Sequence, residues 1–161
     1  MVKRDGYSKA QIGLHWLTAA LIGFNYLYSE GMGDALDARL EGGAEPTLGI
    51  IPNVHVWVGI AVLVMVVLRL GLRMVQGHPA AAGTGLTALA ATWGHRLLYL
   101  VLLVVPALGA VTWFGGLDAT GEPHAFMANV ILVLAGLHAL VALFHQFVLK
   151  DGSLTRMLRS K

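Results

Sequence analysis

Long apolar runs separated by short polar or glycine-rich segments dominate the hydropathy pattern of this chain. A membrane-spanning helix needs about 20 predominantly apolar residues, and four runs approach that length, at about 10–28, 53–75, 89–114 and 124–149. The pattern therefore predicts an all-α fold, a transmembrane four-helix bundle built as a single domain over residues 1–161. Residues 30–52, rich in glycine and acidic side chains, are predicted to form a connecting loop.

The composition supports a membrane protein and limits its chemistry. The chain is 57% hydrophobic and 12% charged, whereas about a quarter of the residues in a soluble domain are charged. It has no cysteine, which excludes disulfides, covalently attached haem and thiolate-bound iron–sulfur clusters. The seven histidines are then the nitrogen ligands available for a metal. We expect no nucleic-acid partner, because the positions of the basic residues are explained by the orientation of the chain in the membrane.

The charges are distributed unequally between the connections. Ten of the eleven Lys and Arg residues lie in the N-terminus, in the connection between the second and third runs with its flanks, and in the C-terminal tail. Seven of the nine acidic residues lie in the other two connections. The positive-inside rule therefore places both termini in the cytoplasm. The first run could also be a signal peptide, but its length and its polar residues His15 and Asn25 favour a retained span.

Four histidines pair by depth in this topology. His124 and His138 are fourteen residues apart in the last run, which on a helix is a rise of about 21 Å on nearly the same face. His55 lies at the outer depth of His124, and His15 lies at the inner depth of His138. Intramembrane ionisable residues are functional candidates, and the two pairs predict two bis-histidine haem sites for electron transfer. A lone membrane histidine can instead serve an interhelical hydrogen bond, and His124 beside Pro123 could be interfacial.

Further polar residues cluster at the inner depth. His95 and His145 could each replace an inner ligand, line a pocket where a quinone binds, or be exposed at the interface. Arg69 could donate a charge-assisted hydrogen bond to a haem propionate or, as we expect for Arg73, reach towards the cytoplasmic headgroups. Glycines near the histidines would let a flat macrocycle approach a helix, although small residues also serve ordinary helix packing; they are Gly13, Gly59, Gly94 and Gly136.

At these residues the chain resembles the bacterial cytochrome b561 family. The matching segments run in chain order from Ile12 to Trp16, Val54-His55, Leu68 to Arg73, Gly94 to Pro106, and Gly136 to Asp151, with His124 upstream of the last. The resemblance implies a di-haem four-helix protein of the bacterial inner membrane, with haem pairs His15–His138 and His55–His124. The histidine arrangement is also similar to that of the membrane cytochrome b subunits of formate dehydrogenase and nickel–iron hydrogenase.

The resemblance implies an oxidoreductase with two haem b groups that oxidises superoxide at the periplasmic face and reduces ubiquinone. The acidic outer connections would repel an anion, so a basic protein or a neutral donor suits that face better. One alternative is a haem-bearing membrane anchor that relays electrons for a larger dehydrogenase or hydrogenase complex. Another is a transporter or metal channel that uses the histidines without haem. The sequence identifies no catalytic residue and leaves open whether protomers pair.

Overall fold

The computed structural model of the protein describes residues 6–42, 50–79 and 85–160. The described part is helical and contains no strand. Its α-helices are α1 (Lys9–Leu27), α2 (Met32–Leu40), α3 (Ile50–Gln76), α4 (Leu86–Gly115) and α5 (Gly121–Phe144). Short turns of 3₁₀-helix cover Asp118–Thr120 and Thr155–Met157, and a π-helical turn covers His145–Leu149. The four long helices coincide with the predicted apolar runs, whereas α2 lies in the segment that was wrongly predicted to be entirely loop.

Three of the described helical segments are long and apolar enough to cross a membrane, namely Ile50–Gln76, Leu86–Gly115 and Asp118–Leu149. The first predicted span is not among them. Helix α1 has 19 residues, which is close to the length required, but it includes the polar side chains Gln11, His15 and Asn25. The membrane-spanning character of the protein therefore rests on three segments, and a fourth span stays a prediction.

The core of the described structure lies between three long helices. Helix α3 packs against both α1 and α4, and α4 packs against α5. The buried apolar side chains on α3, α4 and α5 form one cluster, made of Val62, Val66, Val101, Leu102, Val105 and Ile131. Many large apolar side chains point outwards and are exposed, including Val67, Leu100 and Leu140. An exposed apolar surface of this extent suits contact with lipid.

Basic segments from three parts of the chain meet at one end of the molecule, here called the basic end. Helix α1 begins with a capping box, in which Ser8 and Gln11 exchange side-chain and backbone hydrogen bonds. The Gln11 side chain also donates to the Gly77 carbonyl, 3.0 Å away, just after α3 ends. The Trp16 indole donates to the Met157 carbonyl in the C-terminal tail at 2.8 Å. These bonds bring the start of α1, the end of α3 and the tail together.

Helix α2 lies at the opposite end of the molecule, here called the acidic end. The Arg39 guanidinium donates to the Trp113 carbonyl at 3.2 Å and lies 5.1 Å from the centre of the Trp113 ring. Leu36 of α2 also lies beside Gly121, where α5 begins. The carboxylates that these segments carry give this end its negative charge; they are Asp34, Asp37, Glu41, Asp118 and Glu122.

Candidate functional site

The histidines of α3 and α5 at the acidic end face each other across the interior. The ring centroids of His55 and His124 are 6.1 Å apart, with the planes at 84°. His55 Nδ1 donates to the Asn25 carbonyl at 3.2 Å, and His124 Nδ1 donates to the Val105 carbonyl at 2.8 Å. Because Nδ1 carries the proton in both rings, Nε2 carries a lone pair in both. Main-chain carbonyls thus fix both imidazoles in the tautomer that ligates a metal through Nε2.

A second pair lies towards the basic end, where His15 of α1 and His138 of α5 have ring centroids 6.3 Å apart. Two imidazoles that bind opposite sides of one metal through nitrogens at about 2.0–2.1 Å place their ring centroids about 6 Å apart. Both the acidic-end pair and the basic-end pair match that separation. The His95 ring lies closer to His138, at 5.1 Å and nearly perpendicular, which is short for a shared metal between these two rings.

A cavity of about 870 Å³ surrounds the acidic-end pair. Cofactor pockets in proteins have volumes of about 300–1,000 Å³, so the cavity is large enough for a macrocycle. Gly59 lines it, and so does Asn25, whose buried side-chain oxygen has no hydrogen-bond partner among the described residues. A buried hydrogen-bond acceptor without a partner is rare in a well-packed protein core, and one explanation is that a ligand binds beside it. The space and the donor set therefore fit a haem.

The helix glycines contribute in two ways. A Cβ built on Gly109 would lie 2.8 Å from His124 Cε1, so the absence of a side chain there lets the imidazole lie against α4. The sequence analysis did not identify Gly109, because no histidine lies near it along the chain. Its position three residues after Pro106 in the same helix is the sequence feature that could have drawn attention to it. A Cβ at Gly13, Gly94 or Gly136 would meet nothing within 4 Å, which leaves room beside the basic-end histidines.

The basic-end pair differs from the acidic-end pair in its hydrogen bonding. The Arg69 guanidinium donates to His15 Nδ1 at 2.9 Å, so the His15 proton is on Nε2 in this arrangement. For Nε2 to ligate iron, the proton must move to Nδ1, and Arg69 must then find another acceptor. His95 Nδ1 donates to the Ala91 carbonyl at 2.6 Å, which leaves the His95 Nε2 lone pair available near His138.

Arginines and tyrosines surround the basic-end pair. The guanidinium carbons of Arg69 and Arg73 lie 5.5 and 5.9 Å from the centre of the Tyr99 ring. Tyr7, just before α1, is close enough to Arg73 and Arg156 to interact with them electrostatically, while its burial raises the pKa of its hydroxyl. Cationic side chains and hydroxyls are the groups that bind carboxylates such as haem propionates.

His145 has a different partner from His95. It begins the π-helical turn that ends the last span, and its Nδ1 donates to the Asp151 carboxylate at 2.5 Å. This hydrogen bond lowers the pKa of Asp151 to about 2. Sequence reasoning grouped His95 with His145, whereas the ring contact of His95 is with His138. π-Turns inside helices are frequent at functional sites, so the predicted role of His145 in a quinone site stays a prediction.

The long apolar helices and the facing histidines fit the class of membrane haem proteins of the cytochrome b type. The profile of the prokaryotic cytochrome b561 family matches residues 6–160, and the chain belongs to that family. Cytochrome b562 of Cereibacter sphaeroides is 45% identical over 161 residues, which is 100% of both chains. The probable superoxide oxidase CybB of Yersinia pestis is 29% identical, over 96% of this chain and 97% of the relative.

A third relative is cytochrome b561 homolog 2 of Escherichia coli, 26% identical over 96% of this chain and 92% of the relative. Membership of the family implies haem b as the cofactor and confirms the resemblance seen in the sequence.

Proposed function

We propose that the protein is a di-haem b cytochrome of the bacterial inner membrane that carries electrons from an outer-face donor to the ubiquinone pool. In this proposal α1 is the fourth span of a four-helix bundle, the acidic end faces the periplasm and both termini are cytoplasmic. The observation that carries the proposal is the spacing of the two histidine pairs. Each pair, at 6.1 or 6.3 Å, suits one iron held from both sides.

The acidic-end haem would be held by His55 and His124, and the basic-end haem by His15 and His138. When bound, the haems supply reversible one-electron transfer, and iron with two histidine ligands has no open position for oxygen or substrate. The chain's own part is to fix the imidazoles and exclude water between the helices. It does so at the acidic end with main-chain carbonyls, whose hydrogen bonds strengthen the ligand character of Nε2.

Arg69 has a role that begins when His15 becomes a ligand. Because the His15 proton must then lie on Nδ1, Arg69 can no longer donate to that atom. A carboxylate is the natural acceptor for a guanidinium, and haem b carries two propionates. We therefore assign Arg69 to a propionate of the basic-end haem, with Tyr99 beneath its guanidinium.

The quinone would bind at the cytoplasmic side, near His95 and His145. Reduction of a quinone to a quinol requires two electrons and two protons. The His145–Asp151 pair lies at the surface, where its side chains are 14% and 27% exposed, so a proton can reach it from water. His95 lies deeper, against His138. In this proposal a quinone beside the basic-end haem would contact His95 from the interior and His145 from the surface.

Superoxide is the donor suggested by the name of the Yersinia pestis relative. Two superoxide ions would release two electrons and leave as two oxygen molecules, while one quinone takes up both electrons and two protons. The carboxylates that line the acidic-end cavity, Asp37, Asp118 and Glu122, oppose the approach of an anion. They favour a second candidate function, in which the protein is a haem-bearing anchor that receives electrons from a cationic partner subunit or protein.

The reduced-minus-oxidised spectrum and haem content of the purified protein test the first step. Two haems per chain support the proposal, whereas one haem or none contradicts it. Optical detection of quinone reduction during a pulse of superoxide then separates the two functions. Reduction by the isolated protein supports the superoxide activity; no reduction, together with co-purification of a redox partner, supports the anchor.

A further inference from the structure

The two histidine pairs lie in opposite electrostatic surroundings. Arg69 is in contact with His15 at 2.9 Å, and Arg73 follows one helical turn later beside the same tyrosine. In contrast, the described residues that line the acidic-end cavity include Asp37, Asp118 and Glu122 but no Lys or Arg. A haem that gains an electron loses one unit of positive charge, so cations nearby favour the reduced form and anions favour the oxidised form.

Hydrogen bonding to the ligands acts in the same direction. His55 and His124 both donate through Nδ1 to neutral carbonyl oxygens. Such bonds make the imidazole a stronger electron donor, which stabilises oxidised iron. His15 has no such carbonyl acceptor among the described residues, and Arg69, which lies beside it, keeps its positive charge close to the basic-end haem when it pairs with a propionate, which favours reduced iron. Ligand hydrogen bonding and nearby charge are both recognised means of setting a haem potential.

Distance and burial decide which residues matter most. Arg69 is half-buried between α1, α3 and α4, where a charge acts about four times more strongly, at an effective dielectric of about 20, than in bulk water. The three cavity carboxylates are exposed, and salt screens exposed charges over about 10 Å at 0.1 M. Arg69 should therefore have the largest single effect, and the carboxylates should act together and weakly.

We propose that these fixed charges order the two haem potentials, with the acidic-end haem lower and the basic-end haem higher, so that electrons flow from the acidic end to the basic end. Arg69 and Arg73 raise the potential at the basic end, and Asp37, Asp118 and Glu122 lower the potential at the acidic end. The inference rests on the proposed pair of haems. The difference in potential would make electron transfer from the acidic-end haem to the basic-end haem thermodynamically favourable.

Spectroelectrochemical titration of the purified holoprotein tests this inference. We expect two resolved midpoint potentials. Arg69→Gln should lower only the higher one, and Arg69→Lys, which keeps the charge, should restore most of the loss. Arg73→Gln should lower the same potential by less, and it provides the measurement if Arg69→Gln does not retain its haem. Arg159→Gln removes one exposed positive charge from the tail, which water and salt screen, and should leave both potentials nearly unchanged.

The triple change Asp37→Asn, Asp118→Asn and Glu122→Gln should raise only the lower potential, and the shift should shrink as salt is added. Asp34→Asn, on α2 but not lining the cavity, is the matched control and should have little effect. A single haem in the unmodified protein would refute the two-haem proposal. Two haems whose potentials are equal, or whose lower potential responds to Arg73→Gln, would overturn the charge-ordering inference alone.

Discussion

The acidic-end and basic-end histidine pairs have the same spacing but are prepared for a ligand to different extents. At the acidic end, main-chain carbonyls hold both rings in the tautomer that ligation needs, and the cavity is open around them. At the basic end, Arg69 donates to His15 Nδ1, so in the proposed haem site these side chains must exchange partners before iron binds. In the proposed di-haem protein, the backbone therefore fixes the acidic-end site before the haem binds, whereas the basic-end site forms only when Arg69 changes its partner.

The largest expected effect is the separate loss of each haem. His55→Ala should remove the acidic-end haem and His138→Ala the basic-end haem, because a histidine pair with one member missing holds iron from one side only. Haem content per chain and the reduced-minus-oxidised spectrum measure this, with about half of the signal remaining in each variant. An unchanged haem content in either variant would refute that ligand assignment.

Gly109→Ala should weaken the acidic-end site while the basic-end site is retained. The added Cβ would lie 2.8 Å from His124 Cε1, so the imidazole must move and its bond to the Val105 carbonyl must lengthen. Overpacking of this kind costs about 1–3 kcal/mol. Gly71→Ala is the control, since a Cβ there meets nothing within 4 Å. Equal haem retention in both variants would show that the close approach is not required.

Arg69→Gln should reduce retention of the basic-end haem by about 10- to 100-fold, as is usual when a partner of a metal site's ligands is removed. Arg69→Lys should recover part of this retention, because it keeps the charge but cannot make a bidentate contact. Haem loss during dilution, followed optically, measures the difference. If Arg69→Gln retained haem as the unmodified protein does, Arg69 would have no role in holding a propionate.

Asp151→Asn should have the smallest effect, and the effect should depend on pH. The pKa of Asp151 is lowered from 3.8 to about 2 by its bond with His145, so its contribution to stability is full above pH 3.8 and is lost as the pH falls towards 2. Exposed pairs contribute about 0.2–1 kcal/mol. Thermal unfolding in detergent should show the unmodified protein slightly more stable at pH 6, with the difference vanishing near pH 2. A difference independent of pH would exclude the hydrogen bond between His145 and the Asp151 carboxylate as its cause.

The sequence predicted the features that depend on composition and helical period. The four long helices follow from apolar runs, and the histidine pairs follow from the fourteen-residue spacing of His124 and His138 combined with charge asymmetry. Helix α2 was not predicted, because Met32–Leu40 is short and contains glycine and two aspartates. It is stabilised by contacts such as Arg39 with Trp113, which no local pattern reveals.

Partners that are distant in the chain also escaped prediction. The carbonyl acceptors of the acidic-end histidines belong to Asn25 and Val105, and main-chain groups leave no signature in side-chain identity. Gly109 matters only because α5 brings His124 against it. The proposed exchange of partners at Arg69 depends on which nitrogen of His15 carries a proton, and contacts that only the folded chain brings together determine this.

Helix α5 contributes one histidine to each pair, and it is synthesised after α1, α3 and α4. A nascent chain that stops before residue 121 would contain His15 and His55 without their counterparts. In the proposed di-haem protein, neither histidine pair could then hold iron from both sides, however well the earlier helices had inserted. Cofactor capture would accordingly be a late event in biogenesis, and premature termination would yield membrane-embedded but colourless fragments.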